Sequence, residues 1–170
     1  NWQQNDSTAY NYAVFRDAQK DVLRVKHTGM VITMDIGEPE DIHPRNKKDV
    51  GVRLALHALA KDYKLKNIQY DGPVFSSFKT DGATVKISFD KNSTGSGLTT
   101  NDGKAPRHFY VAGADNVFYY ADAAIVNNEV WLTSDKVKKP VAVRYAYTNY
   151  PVTNFCNKEG LPCVPFRTDE

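Results

Sequence analysis

Hydrophobic residues recur at helical spacing over the first part of the chain, from about residue 8 to residue 22. Residues 30–36 then form a nearly continuous apolar run, which is typical of a strand whose two faces are both covered by helices. Two apolar stripes between residues 50 and 63 predict a second helix, which begins at the capping pair Asn46 and Asp49. Residues 1–66 are therefore predicted to form a helix, a parallel strand and a helix within an α/β sheet.

From about residue 68 the pattern changes, because apolar residues now alternate with polar ones as they do in half-buried strands. Residues 73–80 and 83–90 are predicted to form a hairpin that turns at Asp81 and Gly82. Four further strand-like segments follow, at residues 108–114, 117–126, 129–134 and 141–147. Residues 91–103 are rich in Ser, Thr, Asn and Gly and are predicted to be a long loop. A β-sandwich-like domain is therefore predicted over residues 67–170.

Composition and charge narrow the classes of function. With 170 residues, 41% of them hydrophobic, the chain is long enough for one domain with a sizeable core or for two small ones. A formal net charge of +2, with basic and acidic residues interspersed, gives no indication of a nucleic-acid partner. Because no run of about 18 apolar residues occurs, no membrane span is expected either.

The polar segment after the predicted strand carries the candidate chemistry. Glu40, Asp41 and His43 follow the strand at its carboxyl end, where the reactive crevice of an open α/β sheet lies. A neutral imidazole can take a proton from a nucleophile, while a nearby carboxylate fixes its tautomer and stabilises the imidazolium. His43 is therefore a candidate general base.

Few polar residues elsewhere in the sequence suggest a catalytic or metal-binding role. His57 lies inside the second predicted helix, where a structural role is favoured over a catalytic one. Arg16 is predicted at the surface of the first helix, and Trp131 is predicted in the core of the β region. No pair of Cys or His residues has the spacing of zinc ligands, so no metal site is predicted.

Cys156 and Cys163 flank the six residues NKEGLP. A segment that contains Gly160 and Pro162 can close into a short loop, so a disulfide is geometrically possible. Two free thiols are the alternative, and the compartment decides between them.

Four segments of the sequence resemble one enzyme family. They are FRDAQ at residues 15–19, DIGEPEDIHPRNKKDVGVRLA at 35–55, VAVRYAYTNYP at 141–151 and NKEGLPCVPFRTD at 157–169. In order and spacing they are similar to the C-terminal part of sialate O-acetylesterases, which are carbohydrate esterases of the SGNH hydrolase superfamily. The resemblance implies that residues 1–66 are the C-terminal portion of a flavodoxin-like SGNH hydrolase domain, followed by the β-sandwich-like domain.

The resemblance also assigns roles. In that superfamily a Ser is the nucleophile, a Gly and an Asn help to form the oxyanion hole, and a final block supplies Asp and His. His43 matches the catalytic His, but the usual Asp-x-x-His spacing places Glu40, not an aspartate, three residues earlier. Asp41 is the preferred orienting acid, Glu40 is the alternative, and Asp35 is a third choice.

No serine of this chain lies in a Gly-rich strand-to-helix turn of the kind that exposes an activated Ser. The nucleophile is therefore expected outside this chain, in an N-terminal half of the same enzyme that is either a separate chain or a removed part. The 170 residues alone are expected to be inactive.

The activity that the resemblance implies is hydrolysis of O-acetyl esters on sialic acid or related sugars through an acyl-enzyme, without a cofactor. Such an esterase is expected to be extracellular or periplasmic, and that oxidising compartment favours the disulfide between Cys156 and Cys163. The alternative is a non-catalytic carbohydrate-binding β-module or an inactive fragment.

Overall fold

Two α-helices and ten short strands form the regular structure of residues 11–38, 41 and 43–169, which are the residues that the computed structural model describes. Helix α1 spans Asn11–Lys20 and continues into a 3-10 turn at Asp21–Arg24, and helix α2 spans Lys47–Lys61. The strands are β1 (Phe75–Asp81), β2 (Thr84–Phe89), β3 (Leu98–Thr100), β4 (Phe109–Ala112), β5 (Phe118–Tyr120), β6 (Asp122–Val126), β7 (Glu129–Thr133), β8 (Ala142–Tyr145), β9 (Phe155–Asn157) and β10 (Phe166–Arg167). Over these same residues, neither helix is long and apolar enough to cross a membrane.

Two antiparallel four-stranded sheets form the β region. Their strand orders are β1-β2-β7-β6 and β10-β8-β4-β5, and β3 pairs separately with β9. Val85 and Ile87 of the first sheet share one buried cluster with Phe109 and Tyr145 of the second. Because both sheets place their inner faces in the same core, this region is β-sandwich-like, as the alternating pattern predicts.

The predicted hairpin of β1 and β2 is confirmed, and β6 and β7 form a second hairpin. Strands β1 and β2 pair through Asp81 and Thr84, and Gly82 at the turn has a φ of 60°. Strands β6 and β7 meet at Asn127 and Asn128, whose φ values of 51° and 64° suit a turn that matches the twist of the two strands. These registers turn the alternate apolar side chains of β2 into the core, where Val85, Ile87 and Phe89 are buried.

Trp131 and the long polar loop differ from the predictions. Trp131 lies on the outer face of β7, where Lys86 Nζ is 4.5 Å from its ring centroid and its Nε1 donates to Glu129 Oε2 at 3.1 Å. The segment 91–103 contains strand β3, whose partner β9 lies more than fifty residues later in the chain. A partner so distant leaves no signal in the local pattern of hydrophobicity.

Residues 30–36 do not form the predicted strand. Residues 30–33 have no regular structure, and the chain then turns, with Ile36 N donating to Thr33 O at 3.2 Å. A strand exists only through pairing, and these residues have no paired neighbour in the described part of the chain. The predicted parallel strand between two helices is therefore absent from this structure.

Helix α2 begins as predicted but is oriented differently. The Asn46 side chain accepts a hydrogen bond from Asp49 N at 3.1 Å, which confirms the N-cap. The buried residues of α2 are Arg53 and His57, whereas its apolar residues Val52 and Leu54 are exposed. The aromatic face of α1 is also exposed, and Ala13 is its one residue that is buried. Neither helix therefore buries its apolar face against a sheet in the part of the chain described.

Candidate active site

The loop between the segment 30–36 and helix α2 is folded on itself by hydrogen bonds. Glu38 Oε1 accepts from Arg45 N at 2.8 Å and from Arg45 Nε at 3.1 Å. These hydrogen bonds hold the pKa of Glu38 below its ordinary value. Inside this closure, Asp41 N donates to Glu38 O at 3.3 Å. Asp41 and His43 therefore lie at the tip of a closed loop.

Asp41 lies beside His43. Its Oδ1 accepts a hydrogen bond from His43 N at 2.7 Å and lies 3.6 Å from His43 Nδ1. A general base at this position would accept the proton of a nucleophile at the other ring nitrogen, Nε2. Both side chains face solvent, with 82% of His43 and 49% of Asp41 exposed. This site is open in the described structure.

The other two candidate acids do not take this place. Glu40, the alternative, lies outside the described residues. Asp35 is bound elsewhere, because its Oδ1 and Oδ2 accept from Arg53 Nη1 and Nη2 at 2.7 and 2.6 Å. Among the described residues, Asp41 is thus the carboxylate beside His43.

Helix α1 attaches to the β region through Arg16, which is not the surface residue that the sequence predicts. Its guanidinium donates to the carbonyl oxygens of Ala146, Thr148 and Asn149 at 3.0, 2.5 and 3.3 Å. Burial lowers the pKa of Arg16 relative to its ordinary value. The three carbonyl contacts satisfy Nη1 and Nη2, whereas the buried Nε has no partner among the described residues.

Further contacts bring together the segments on which the family resemblance rests. Tyr147 Oη and Arg167 Nε each lie 3.0 Å from Asp17 Oδ2. Tyr150 Oη donates to Gly37 O at 3.3 Å, which ties the segment 141–151 to the loop that carries His43. The scattered similarities thus form one contiguous region of the molecule.

His57 is a buried residue of α2, in agreement with a structural role. Its Nε2 lies 3.2 Å from Asp71 Oδ1, in the segment that leads to β1. Its Nδ1 is buried against Gly29, where a Cβ would come within 3.3 Å of that nitrogen. His57 therefore packs α2 against the rest of the chain.

A cavity of about 450 Å³ lies beneath α1. Its walls include Met30, Ile32 and Met34 from the irregular segment and Val164 from the region before β10. The loop residues Asp41 and His43 do not line it. This cavity and the candidate base are therefore separate features.

Cys156 and Cys163 are free, buried thiols, so the predicted disulfide is absent from this structure. Cys156 pairs with Pro162 in an antiparallel bridge, and Cys163 N donates to Phe155 O at 3.1 Å. Cys163 is thus one position out of register with Cys156, and successive side chains of a strand point to opposite faces. The short loop does close, but it directs the two thiols to opposite sides.

Four of the described serines form hydrogen bonds with groups other than His43. Hydroxyl groups of Ser88, Ser93, Ser96 and Ser134 donate to oxygen atoms of Glu129, Asp90, Glu159 and Tyr120. Within the described residues, no group of three His, Cys, Asp or Glu side chains is arranged to hold a metal ion.

Comparison with known proteins shows what this chain is similar to. No protein-family model matches the sequence, and no curated protein matches it significantly. Six chains of solved structures do match. One is a novel carbohydrate acetylesterase from Xanthomonas citri, with 39% sequence identity and a TM-score of 0.88. The match covers 97% of this chain but 38% of the other, so this chain spans well under half the length of that protein. Nearly the whole chain is therefore similar to part of a carbohydrate acetylesterase. This similarity supports the expectation of carbohydrate esterase activity.

Proposed function

We propose that this chain is the part of a carbohydrate O-acetylesterase that carries the general base, His43, with Asp41 as its orienting acid. The observation that carries the proposal is the contact of Asp41 Oδ1 with both His43 N and His43 Nδ1. The 39% identity to a carbohydrate acetylesterase supports the same activity. Sialic acid and related sugars are the proposed substrates because the four segments resemble sialate O-acetylesterases.

In the proposed reaction a Ser outside this chain attacks the acetyl carbonyl carbon, and His43 Nε2 takes the proton of its hydroxyl group. The imidazolium then gives that proton to the sugar oxygen as the ester bond breaks. Water, activated by the same nitrogen, attacks the acyl-enzyme and releases acetate. Asp41 stabilises the imidazolium in both steps, and the oxyanion donors also come from outside this chain.

The exposed apolar faces of the helices support a partner that carries those missing groups. Tyr12 and Phe15 of α1 and Val52 and Leu54 of α2 are about half exposed or more. We propose that an N-terminal half of the same enzyme covers these faces, since exposed apolar patches mark interaction surfaces. The same contact would cover the open side of His43. The proposed location is extracellular or periplasmic.

The test uses the enzyme expressed from its complete gene. Wild type, His43→Ala and the matched control His27→Ala, which removes another exposed histidine, are assayed for acetate release from O-acetylated sialic acid and from acetylated xylose. The expected result is a kcat that falls by about 10³- to 10⁶-fold for His43→Ala alone. Wild-type turnover of His43→Ala would refute the general-base role. Release from xylose but not from sialic acid would refute only the proposed substrate.

A non-catalytic carbohydrate-binding module is the second candidate. Tyr119 and Tyr120 on the edge strand β5 expose their rings, and exposed aromatic rings can stack on sugars. Calorimetric titration of acetylated sugars into wild type and Tyr120→Ala decides this candidate. Binding that is lost in Tyr120→Ala, with no hydrolysis by the complete enzyme, would favour the module.

A further inference from the structure

The loop that carries His43 is held at both ends by one buried ion pair. Arg53 in α2 and Asp35 before the loop are 18 residues apart in sequence and are joined by two hydrogen bonds, of 2.7 and 2.6 Å. Arg53 Nη1 also donates to Ile32 O at 2.5 Å. Only 9% of the Arg53 side chain and 13% of the Asp35 side chain are exposed. The guanidinium thus binds the chain before the loop while its own backbone belongs to the helix after it.

We infer that Arg53 is a positioning residue for His43 and acts through Asp35, an inference that rests on the proposed function. Neither residue touches the imidazole. Their contact fixes the distance between the two ends of the loop, and the Glu38–Arg45 closure and the Asp41–His43 contact lie inside it. His43 therefore owes its place to a series of nested contacts, of which the Arg53–Asp35 pair is the outermost and the most buried.

The position of His43 depends strongly on the Arg53–Asp35 pair because the tip of the loop is exposed. His43 is largely exposed, so packing contributes little to its orientation. Tyr150 Oη anchors the loop at Gly37 O through one hydrogen bond of 3.3 Å. If the ends separate, the tip moves with them, and a displacement of about 1 Å at a reacting group can reduce a rate by about 100-fold.

Arginine is the residue that this geometry requires. Its planar fork reaches both Asp35 oxygens and the Ile32 carbonyl together, whereas a lysine ammonium lacks the fixed, paired donors. Helix α2 has a second attachment one turn later, where His57 contacts Asp71. An Arg53→Lys variant should therefore keep the helix in place and yet loosen the loop.

Kinetics of the enzyme expressed from its complete gene test the inference. Arg53→Lys is compared with Arg24→Lys, a matched control in which the arginine is exposed and paired with Asp21. We expect kcat of Arg53→Lys to fall by about 10- to 100-fold, with KM changed by less than about twofold. A fall in kcat at nearly constant KM is the readout that a merely structural role would not give. An unchanged kcat in a folded Arg53→Lys enzyme would overturn the inference.

A double variant covers the case in which Arg53→Lys does not fold. Asp35→Leu with Arg53→Met removes both buried charges together, which often leaves stability intact. A folded double variant with lowered kcat supports the positioning role, and one with wild-type kcat overturns it. His43→Ala, assayed in parallel, separates the two proposals. If His43→Ala stays active, the proposed function fails; if it is inactive while the Arg53 variants are unaffected, only the present inference fails.

Discussion

Asp41 Oδ1 contacts two atoms of His43, the backbone N at 2.7 Å and the ring Nδ1 at 3.6 Å. One carboxylate oxygen thus binds the backbone of the loop and also lies beside the imidazole. Asp41 and His43 are two residues apart in sequence, so their relative geometry depends on the conformation of the loop rather than on a distant element.

Substitution of the acids distinguishes the two candidates. Asp41→Asn keeps the size of the side chain but removes the charge that stabilises the imidazolium, so kcat of the complete enzyme should fall by about 10³- to 10⁴-fold. Glu40→Gln should change kcat by less than about threefold. Steady-state kinetics on an O-acetylated sugar measure both. The opposite order of effects would assign the role to Glu40.

Both cysteines should be free. Burial, with a smaller contribution from Cys156, raises the pKa of the Cys163 thiol well above its ordinary value, so the reactive thiolate is suppressed in the folded state. Alkylation in denaturant without reductant should add two labels, as read by mass spectrometry. Alkylation of the folded chain should leave Cys163 unlabelled. The absence of label after denaturation would instead establish the disulfide that the sequence predicts.

Stability should depend on the ionisation of Asp169. Burial favours a higher pKa for Asp169, but hydrogen bonds and charge from Arg144 outweigh it, so the pKa lies below its ordinary value. Between the folded and unfolded pKa values the unfolded state binds more protons, and this contribution is lost as the pH falls below about 4. The stability difference between wild type and Asp169→Asn should therefore shrink on acidification.

Urea denaturation at a series of pH values from 6 to about 3 measures this difference. Asp135→Asn, at an exposed aspartate, is the control and should give a curve parallel to that of wild type. A difference between wild type and Asp169→Asn that is constant with pH would contradict the assignment.

Two identical substitutions compare the core with the surface of the β region. Val130 of β7 is fully buried, whereas Val141 before β8 is 52% exposed. Val130→Ala should lower the free energy of unfolding by about 2 kcal/mol, because it removes buried methyl groups and leaves a cavity. Val141→Ala should change it by less than about 0.5 kcal/mol. Equal effects in urea denaturation would mean that the inner faces of the two sheets do not form the core.

The sequence by itself determined the features that depend on neighbouring residues. Alternation along β2 and the residues Gly82, Asn127 and Asn128 specify the two hairpins, because period-two patterns and left-handed turn residues are local properties. Asn46 was recognisable as an N-cap for the same reason. His43 and Asp41 were predicted as neighbours in a loop, and their contact is local as well.

The tertiary structure decided the features that need a distant partner. The apolar run at 30–36 resembles a strand, yet it has no strand beside it in the described residues and remains irregular. Helix α2 turns Arg53 and His57 inward because they contact Asp35 and Asp71. The pattern of hydrophobicity along the helix contains no information about those two partners. Likewise, the spacing of Cys156 and Cys163 suggests a disulfide, but the β-bridge pairs Cys156 with Pro162, so the two thiols lie on opposite faces. Pairing energy depends on the geometry of both partners, which a one-dimensional pattern does not contain.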